Sequence, residues 1–151
     1  MRLERTQDAE LIKSVVTHDS IWPHVSEDCV SRETWEPLIH DMVYELAIYD
    51  DDGFGGCFIL TPESSICWQV HTCILPSHRG KKAIEAAKMC ISWMFENTTC
   101  ESIITKVPTY NAAALRLAIN AGMSELCTIG KCWLKDGKAY DMKLLGVLKC
   151  Q

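Results

Sequence analysis

The sequence lacks three features that would each assign it to a class of protein. No apolar run reaches the roughly 18 residues that a membrane-spanning helix needs. The first residues, Met-Arg-Leu-Glu-Arg-Thr, are charged and lack the apolar core of a secretion signal. Acidic residues outnumber basic ones by 20 to 15, and the resulting net charge of −5 argues against broad nucleic-acid binding. We therefore expect a cytoplasmic protein with no membrane span and no nucleic-acid partner.

Paired cysteine motifs are also absent, although the chain contains nine cysteines. No two of them form a C-x-x-C pair, the spacing typical of zinc sites and of thioredoxin-like redox motifs. Most lie in apolar runs, where a free thiol behaves as a small buried hydrophobe. A reducing compartment also disfavours disulfides. We expect structural, reduced thiols and no metal site.

Length and composition fit one compact domain. The 151 residues are 48% hydrophobic and 23% charged, which is typical of a globular protein. A chain of this length can bury roughly 70% of the surface that its unfolded state exposes. The sequence contains no repeat, linker or low-complexity tract, so we predict a single domain spanning residues 1–151.

Hydrophobic periodicity predicts alternating strands and helices. Predicted helices cover residues 8–18, with Asp8 as N-cap, 81–97, and 111–121, where Gly122 ends the last one. Predicted strands cover residues 3–6, 44–49, 55–60, 65–75, 102–107, 125–134 and 139–148. Residues 20–40 suggest a loop or a short helix. A hairpin followed by strand–helix–strand–helix–strand predicts an α/β fold with a mixed sheet and helices on both faces.

A basic loop between a strand and a helix is the most informative segment. The apolar run that ends at Leu75 breaks at Pro76, and the first turn of the following helix carries Arg79, Lys81 and Lys82. Cations at a helix N-terminus oppose the helix dipole by roughly 0.3–1 kcal/mol each. They suit an anion that is held by the free backbone N–H groups of that terminus. The loop therefore indicates a phosphate-bearing ligand, with a solvated basic turn as the alternative.

Two segments carry a family resemblance. Leu-Pro-Ser-His-Arg-Gly-Lys-Lys-Ala, at residues 75–83, resembles the pyrophosphate loop of the GCN5-related N-acetyltransferases (GNAT). Asn-Ala-Ala-Ala-Leu-Arg-Leu-Ala-Ile-Asn-Ala-Gly-Met, at residues 111–123, resembles the later helix of that family, and residues 135–141 resemble the turn into its last strand. The resemblance covers about residues 44–148. It implies a GNAT-like fold and acetyl transfer from acetyl-CoA to an amine.

The resemblance also implies which residues bind the cofactor. The family's loop usually has small residues at two positions that this chain fills with Lys82 and Ile84. The loop is therefore expected to bind acetyl-CoA in an altered way, weakly, or not at all. Asn111 fits a helix N-cap as well. The implied cofactor-binding residues are Ile74, Leu75, Arg79, Gly80, Lys81, Lys82, Ala83 and Asn111.

The strand that leads to the loop offers a candidate base. His71 falls on its more polar face, and an unperturbed histidine titrates near pH 6.5, which suits proton acceptance. The alternative is a hydrogen-bonded core histidine. Glu45, in the first hairpin strand, is a second candidate. His78 lies in the loop itself and is expected to meet phosphate or solvent.

The candidate acid is the clearest departure from the family. Many members place a tyrosine seven residues after the helix-opening Asn, where this chain has Ala118. A methyl group cannot protonate a departing thiolate. Tyr110 and Tyr140 could substitute if the fold brings either phenol near the thiol; packing is the alternative for both. The activity as an enzyme is therefore left open.

The whole chain also resembles small proteins of tailed bacteriophages that act in head assembly. The resemblance is carried mainly by residues 68–73 and 79–87. It implies phage virion or ejection proteins as partners and possible association with the virion. Two hypotheses follow. The first is a head-assembly protein on a GNAT scaffold with a retained or vestigial acetyl-CoA site, and the alternative is an active N-acetyltransferase.

Overall fold

A computed structural model describes residues 1–150 of the chain. The helices are α1 (Ala9–Val16), α2 (Trp22–Val25), α3 (Lys81–Asn97) and α4 (Ala112–Asn120). The strands are β1 (Arg2–Thr6), β2 (Tyr44–Asp50), β3 (Gly53–Pro62), β4 (Cys67–Ile74), β5 (Ser102–Pro108), β6 (Ser124–Lys135) and β7 (Lys138–Leu148). One turn of 3₁₀ helix, Pro76–His78, separates β4 from α3. The order of the elements agrees with the prediction.

The seven strands form one sheet in the order β1-β2-β3-β4-β5-β7-β6. All neighbouring pairs are antiparallel except β4 and β5, which run parallel. This parallel pairing is short, because only residues 67–69 of β4 pair with residues 102–104 of β5. Since β4 continues to Ile74 and β5 to Pro108, the two strands part and leave a gap in the middle of the sheet.

Helices cover both faces of this sheet, which confirms the predicted mixed α/β architecture. The main core lies on the α3 and α4 side and includes Leu46, Phe58, Trp68, Met94 and Ile103. A second core lies on the α1 side and consists of Ile12, Val15, Val16, Ile21, Cys57 and Cys73. Successive residues of a strand alternate between these two layers, so both faces of the sheet are apolar at its centre.

Capping residues set the ends of two helices. Asp8 Oδ1 accepts a hydrogen bond from the Leu11 N–H at 3.0 Å and caps α1. Asn111 Oδ1 accepts from the Ala114 N–H at 3.1 Å and caps α4, as the sequence predicts. Gly122 follows α4 with φ +104°, a conformation that favours glycine after a helix.

The cysteines of residues 1–150 are all free thiols. Cys57, Cys73, Cys90 and Cys100 are buried, whereas Cys29, Cys127, Cys132 and Cys150 are exposed. Among these described residues, no group of three His, Cys, Asp or Glu side chains is arranged to hold a metal ion. Within the same range, no helix has the length and apolarity needed to cross a membrane.

Candidate functional site

A cavity of about 760 Å³ lies where β4 and β5 part. On one side of the sheet its walls come from α3 and α4, including Ala87 and Leu117. On the other side they come from the region of α2, including Ile21 and His24. The gap between the strands therefore joins the two helical layers through a single cavity.

The parted strands present backbone groups to this cavity. Thr105 of β5 donates a hydrogen bond from its Oγ1 to the Val70 backbone oxygen of β4, at 3.1 Å, just beyond the last paired residues. Because backbone groups of alternate residues point to the same side of a strand, Thr72 and Ile74 turn their N–H and C=O groups into the gap as well. These groups have no partner on β5. They can pair with an extended ligand that contains amide groups.

The N-terminus of α3 opens beside the same cavity. Gly80 is its N-cap residue, with φ +73° and no side-chain cap, and Gly80 lines the cavity together with Arg79 and Ala83. The Gly80 carbonyl accepts the first helical bond from Ile84 N–H, so the N–H groups of residues 81–83 have no helical partner. The positive end of a 17-residue helix thus faces an open cavity, which is an arrangement that binds anions.

Two residues of the loop contact the β2–β3 hairpin. His78 is only 1% exposed, and its Nε2 lies 2.9 Å from Asp50 Oδ1. Lys82 Nζ lies 2.8 Å from Asp50 Oδ2 and also pairs with Asp52. The hydrogen bond from Lys82 is the main cause that lowers the pKa of Asp50 to about 2, and the same contact raises the pKa of Lys82 to about 12.

The prediction that His78 meets phosphate or solvent is therefore wrong. The ring lies under the hairpin, against Gly55, where the Cβ of any larger residue would overlap it. Its other nitrogen, Nδ1, lies 2.9 Å from Ser77 Oγ, so both ring nitrogens have partners inside the protein.

Of the first candidate base and the eight residues implied to bind the cofactor, the cavity brings six together. His71, Ile74, Arg79, Gly80, Ala83 and Asn111 line it. Leu75 packs instead against the core on the α1 side. Lys81 is exposed at the surface, and Lys82 is turned toward Asp50 and Asp52.

His71 opens to the cavity and is not buried in the core. Its Nε2 lies 3.2 Å from Gln69 Nε2, which also belongs to the cavity wall. The pKa of His71 is lowered, first by desolvation among the surrounding groups and second by the positive charge of Lys106. Both effects favour the neutral imidazole, which is the form that accepts a proton.

The phenols that the sequence offers as acids are engaged elsewhere. The rings of Tyr110 and Tyr140 pack edge to face with centroids 4.6 Å apart, and Trp133 Nε1 donates a hydrogen bond to Tyr110 Oη at 3.0 Å. Neither tyrosine lines the cavity. Ala118 does line it, and is 8% exposed. The position where many GNAT members have tyrosine therefore faces the cavity without an acid.

Sequence reasoning missed the part of the wall that follows α2. Glu27 lines the cavity, and its Oε1 accepts a hydrogen bond from the Leu134 N–H at 2.9 Å. The next residue, Asp28, accepts bonds from the N–H groups of Asp136 and Gly137, each at 2.8 Å. These bonds fasten the loop after α2 to the β6–β7 turn, more than a hundred residues away along the chain. No local sequence signal could have indicated them.

Comparisons with known proteins show the fold. A spermidine N-acetyltransferase from Vibrio cholerae, solved with CoA and spermine, superimposes with a TM-score of 0.81 at 18% identity, over 97% of this chain and 94% of that one. A ribosomal-protein-S5-alanine acetyltransferase from Vibrio fischeri superimposes with a TM-score of 0.75 at 16% identity, over 97% and 91% of the two chains. No protein-family model and no curated protein matches the sequence. The chain has the GNAT fold.

The expectation of a phage head-assembly function is wrong. The two similar structures described above are N-acetyltransferases, and nothing in the comparisons points to head assembly, to virion partners or to virion association. That expectation rested on a sequence resemblance carried mainly by residues 68–73 and 79–87. In the structure these two segments are β4 and the start of α3, which are parts of the GNAT scaffold.

Proposed function

We propose that this protein is an acetyl-CoA-dependent N-acetyltransferase that acts on an amine of a protein or of a small molecule. The observation that carries the proposal is the single cavity into which both the parted strands and the uncapped N-terminus of α3 open. The GNAT fold, shared with an acetyltransferase solved with CoA, supports it. We also propose a cytoplasmic, single-domain enzyme, because one sheet holds all the described strands and the described cysteines are free thiols.

The residues of the cavity fit the parts of a CoA molecule. Its volume of about 760 Å³ lies in the range that small-molecule sites occupy. The N–H groups of residues 81–83, which have no helical partner, would hold the pyrophosphate. Arg79 would assist with the N–H groups that remain to its guanidinium, whose Nη2 donates to the Ser20 backbone oxygen at 2.8 Å. The backbone groups of Thr72 and Ile74 would pair with the amides of the pantetheine arm. When bound, acetyl-CoA supplies an activated acetyl thioester.

The chain's own residues prepare the acceptor amine. His71, kept neutral, takes the proton that the amine must lose. The amine enters from the α2 side, where His24, Glu27 and Lys106 line the cavity. Because no tyrosine lines the cavity, no phenol of the described chain protonates the departing thiolate, and we expect turnover to be slow.

The proposal is tested by calorimetry with CoA and by acetylation of a panel that contains spermidine, amino acids and peptides with free N-termini. We expect CoA to bind, and we expect Arg79→Ala to weaken it by about tenfold, more at low salt where charges are least screened. Lys81→Ala is the matched control, because Lys81 lies next to the loop but outside the cavity wall, and its effect should be smaller. No binding of CoA at millimolar concentration would overturn the proposal.

A further inference from the structure

We propose that Asp50, His78 and Lys82 form a positioning unit that fixes the cofactor loop, and that Lys82 promotes CoA binding by neutralising Asp50 and Asp52 rather than by touching phosphate. The inference rests on the proposed function. None of the three residues lines the cavity, so each acts through the loop rather than on the ligand.

The unit holds the loop on both sides of its exposed part. Asp50 uses one carboxylate oxygen for His78, which precedes the loop's turn, and the other for Lys82, which follows it. Only residues 79–81 lie between these two anchors. Arg79 and Gly80 line the cavity. Their position therefore depends on the contacts that the Asp50 carboxylate makes on either side of them.

The carboxylate is itself held by the hairpin. Asp50 is the last residue of β2 and pairs with Gly53 of β3, and its Oδ1 accepts a hydrogen bond from the Asp52 N–H at 2.8 Å. The His78 ring fills the space over Gly55. Packing and hydrogen bonds thus give the loop one defined position relative to the sheet, before any ligand binds.

The charges of this unit explain what Lys82 contributes as the second residue of α3. Asp50, Asp51 and Asp52 place three carboxylates in a turn close to the N-terminus of α3. Unneutralised carboxylates there would repel a pyrophosphate that is bound to the same helix end. Lys82 pairs with two of them, so its charge is engaged within the protein. Its contribution to anion binding is the removal of a repulsion.

The test is a rescue experiment with CoA as the probe, read by calorimetry. Lys82→Met keeps the aliphatic stem but removes the charge, and we expect it to raise the Kd for CoA by about tenfold or more. Lys88→Met, at an exposed lysine about two turns further along α3, should change the Kd by less than about threefold. Adding Asp50→Asn and Asp52→Asn to Lys82→Met removes the repulsion, while an amide oxygen at position 50 can still accept from His78, so the loop keeps this anchor. We expect the triple variant to restore the Kd to within about threefold of the parent.

A direct contact between Lys82 and phosphate makes the opposite prediction, because the triple variant would then stay as weak as Lys82→Met. That result overturns the proposal, and so does a Lys82→Met variant that binds CoA like the parent. In either case the proposed function stands, because the parent still binds CoA. A parent that does not bind CoA overturns the proposed function and this inference together.

Hydrogen exchange without ligand gives a second readout that does not depend on activity. We expect His78→Leu to accelerate exchange of the backbone N–H groups of residues 78–84, because the ring can no longer bond to Asp50. His78→Gln, which can still donate to Asp50, should exchange more slowly than His78→Leu. Exchange that is equal in the parent, His78→Leu and His78→Gln would show that the unit does not fix the loop.

Discussion

Thr105 bridges the two central strands where their backbones part, because its Oγ1 donates to the Val70 carbonyl oxygen at 3.1 Å. Without this hydroxyl, the carbonyl would face the cavity unpaired. We expect Thr105→Val, which is nearly isosteric, to lower the free energy of unfolding by about 1 kcal/mol. Thr105→Ser keeps the hydroxyl and should lose less. Urea unfolding measures both, and equal losses in the two variants would contradict the role of the hydrogen bond.

The pH dependence of acetyl transfer should report the titration of His71. Its pKa is lowered from the ordinary value of 6.5, so kcat/KM should stay constant as the pH is lowered past 6.5. It should fall only at a lower pH, where the ring gains a proton. Lys106→Met removes the second cause of that shift, and we expect the acidic limb of the profile to move to higher pH.

Lys88→Met serves as the charge control, because Lys88 is exposed on α3 and makes no ion pair with another residue of the range 1–150. It should leave the profile unchanged. His71→Ala should lose activity by roughly 10²-fold or more. A His71→Ala variant that is as active as the parent, with the same profile, would assign the base to another residue.

Restoring a phenol at Ala118 should increase turnover. The side chain faces the cavity from α4, so Ala118→Tyr places a phenol on a wall to which no described tyrosine contributes. Ala118→Phe adds almost the same volume without the hydroxyl, and it therefore separates acid catalysis from overpacking. We expect kcat of Ala118→Tyr to exceed that of Ala118→Phe by at least about tenfold. Equal kcat values would remove the argument that this position limits the reaction.

Glu45 should make stability depend on pH. The residue is 1% exposed, and neither carboxylate oxygen has a hydrogen-bond partner among the described residues. Burial raises the pKa of this carboxyl above its ordinary value of 4.5. The folded state thus favours the neutral form, so the stability that Glu45 contributes is complete below pH 4.5 and is lost as pH rises through the raised pKa.

Glu45→Met removes the carboxyl and keeps a similar volume. We expect the free energy of unfolding of the parent to fall relative to that of Glu45→Met as the pH rises above 4.5. Glu85→Met, on the exposed face of α3, is the control and should give no such divergence. The free energies of unfolding are obtained from urea unfolding at each pH. If they change with pH in the same way in the parent and in Glu45→Met, burial does not raise the pKa of the Glu45 carboxyl.

Much of the fold could be predicted from local pattern. Asp8 and Asn111 mark the starts of α1 and α4 because each side chain caps a helix within three residues of itself. The apolar run before Pro76 indicates β4, and the helical period after it indicates α3. The order of these elements is enough to favour the mixed sheet with helices on both faces.

The candidate site was predictable only in part, and the errors have one cause. His71 and Arg79 lie on the cavity because strand parity and the loop position fix where they point. His78 and Lys82 lie close to Arg79 in sequence, yet they turn toward Asp50, which precedes them by about thirty residues. The sequence shows a cation near a helix N-terminus but does not show which carboxylate it meets.

The sequence by itself therefore determined the elements, their order and the basic loop between β4 and α3, because these depend on periodicity, caps and turns over a few residues. Tertiary structure alone decided which of the loop's side chains face the cavity, that Tyr110 and Tyr140 pack away from it, and that the loop after α2 closes against the β6–β7 turn. The physical reason is that hydrogen bonds, ion pairs and burial join residues distant in sequence, and only the packed sheet brings those residues together.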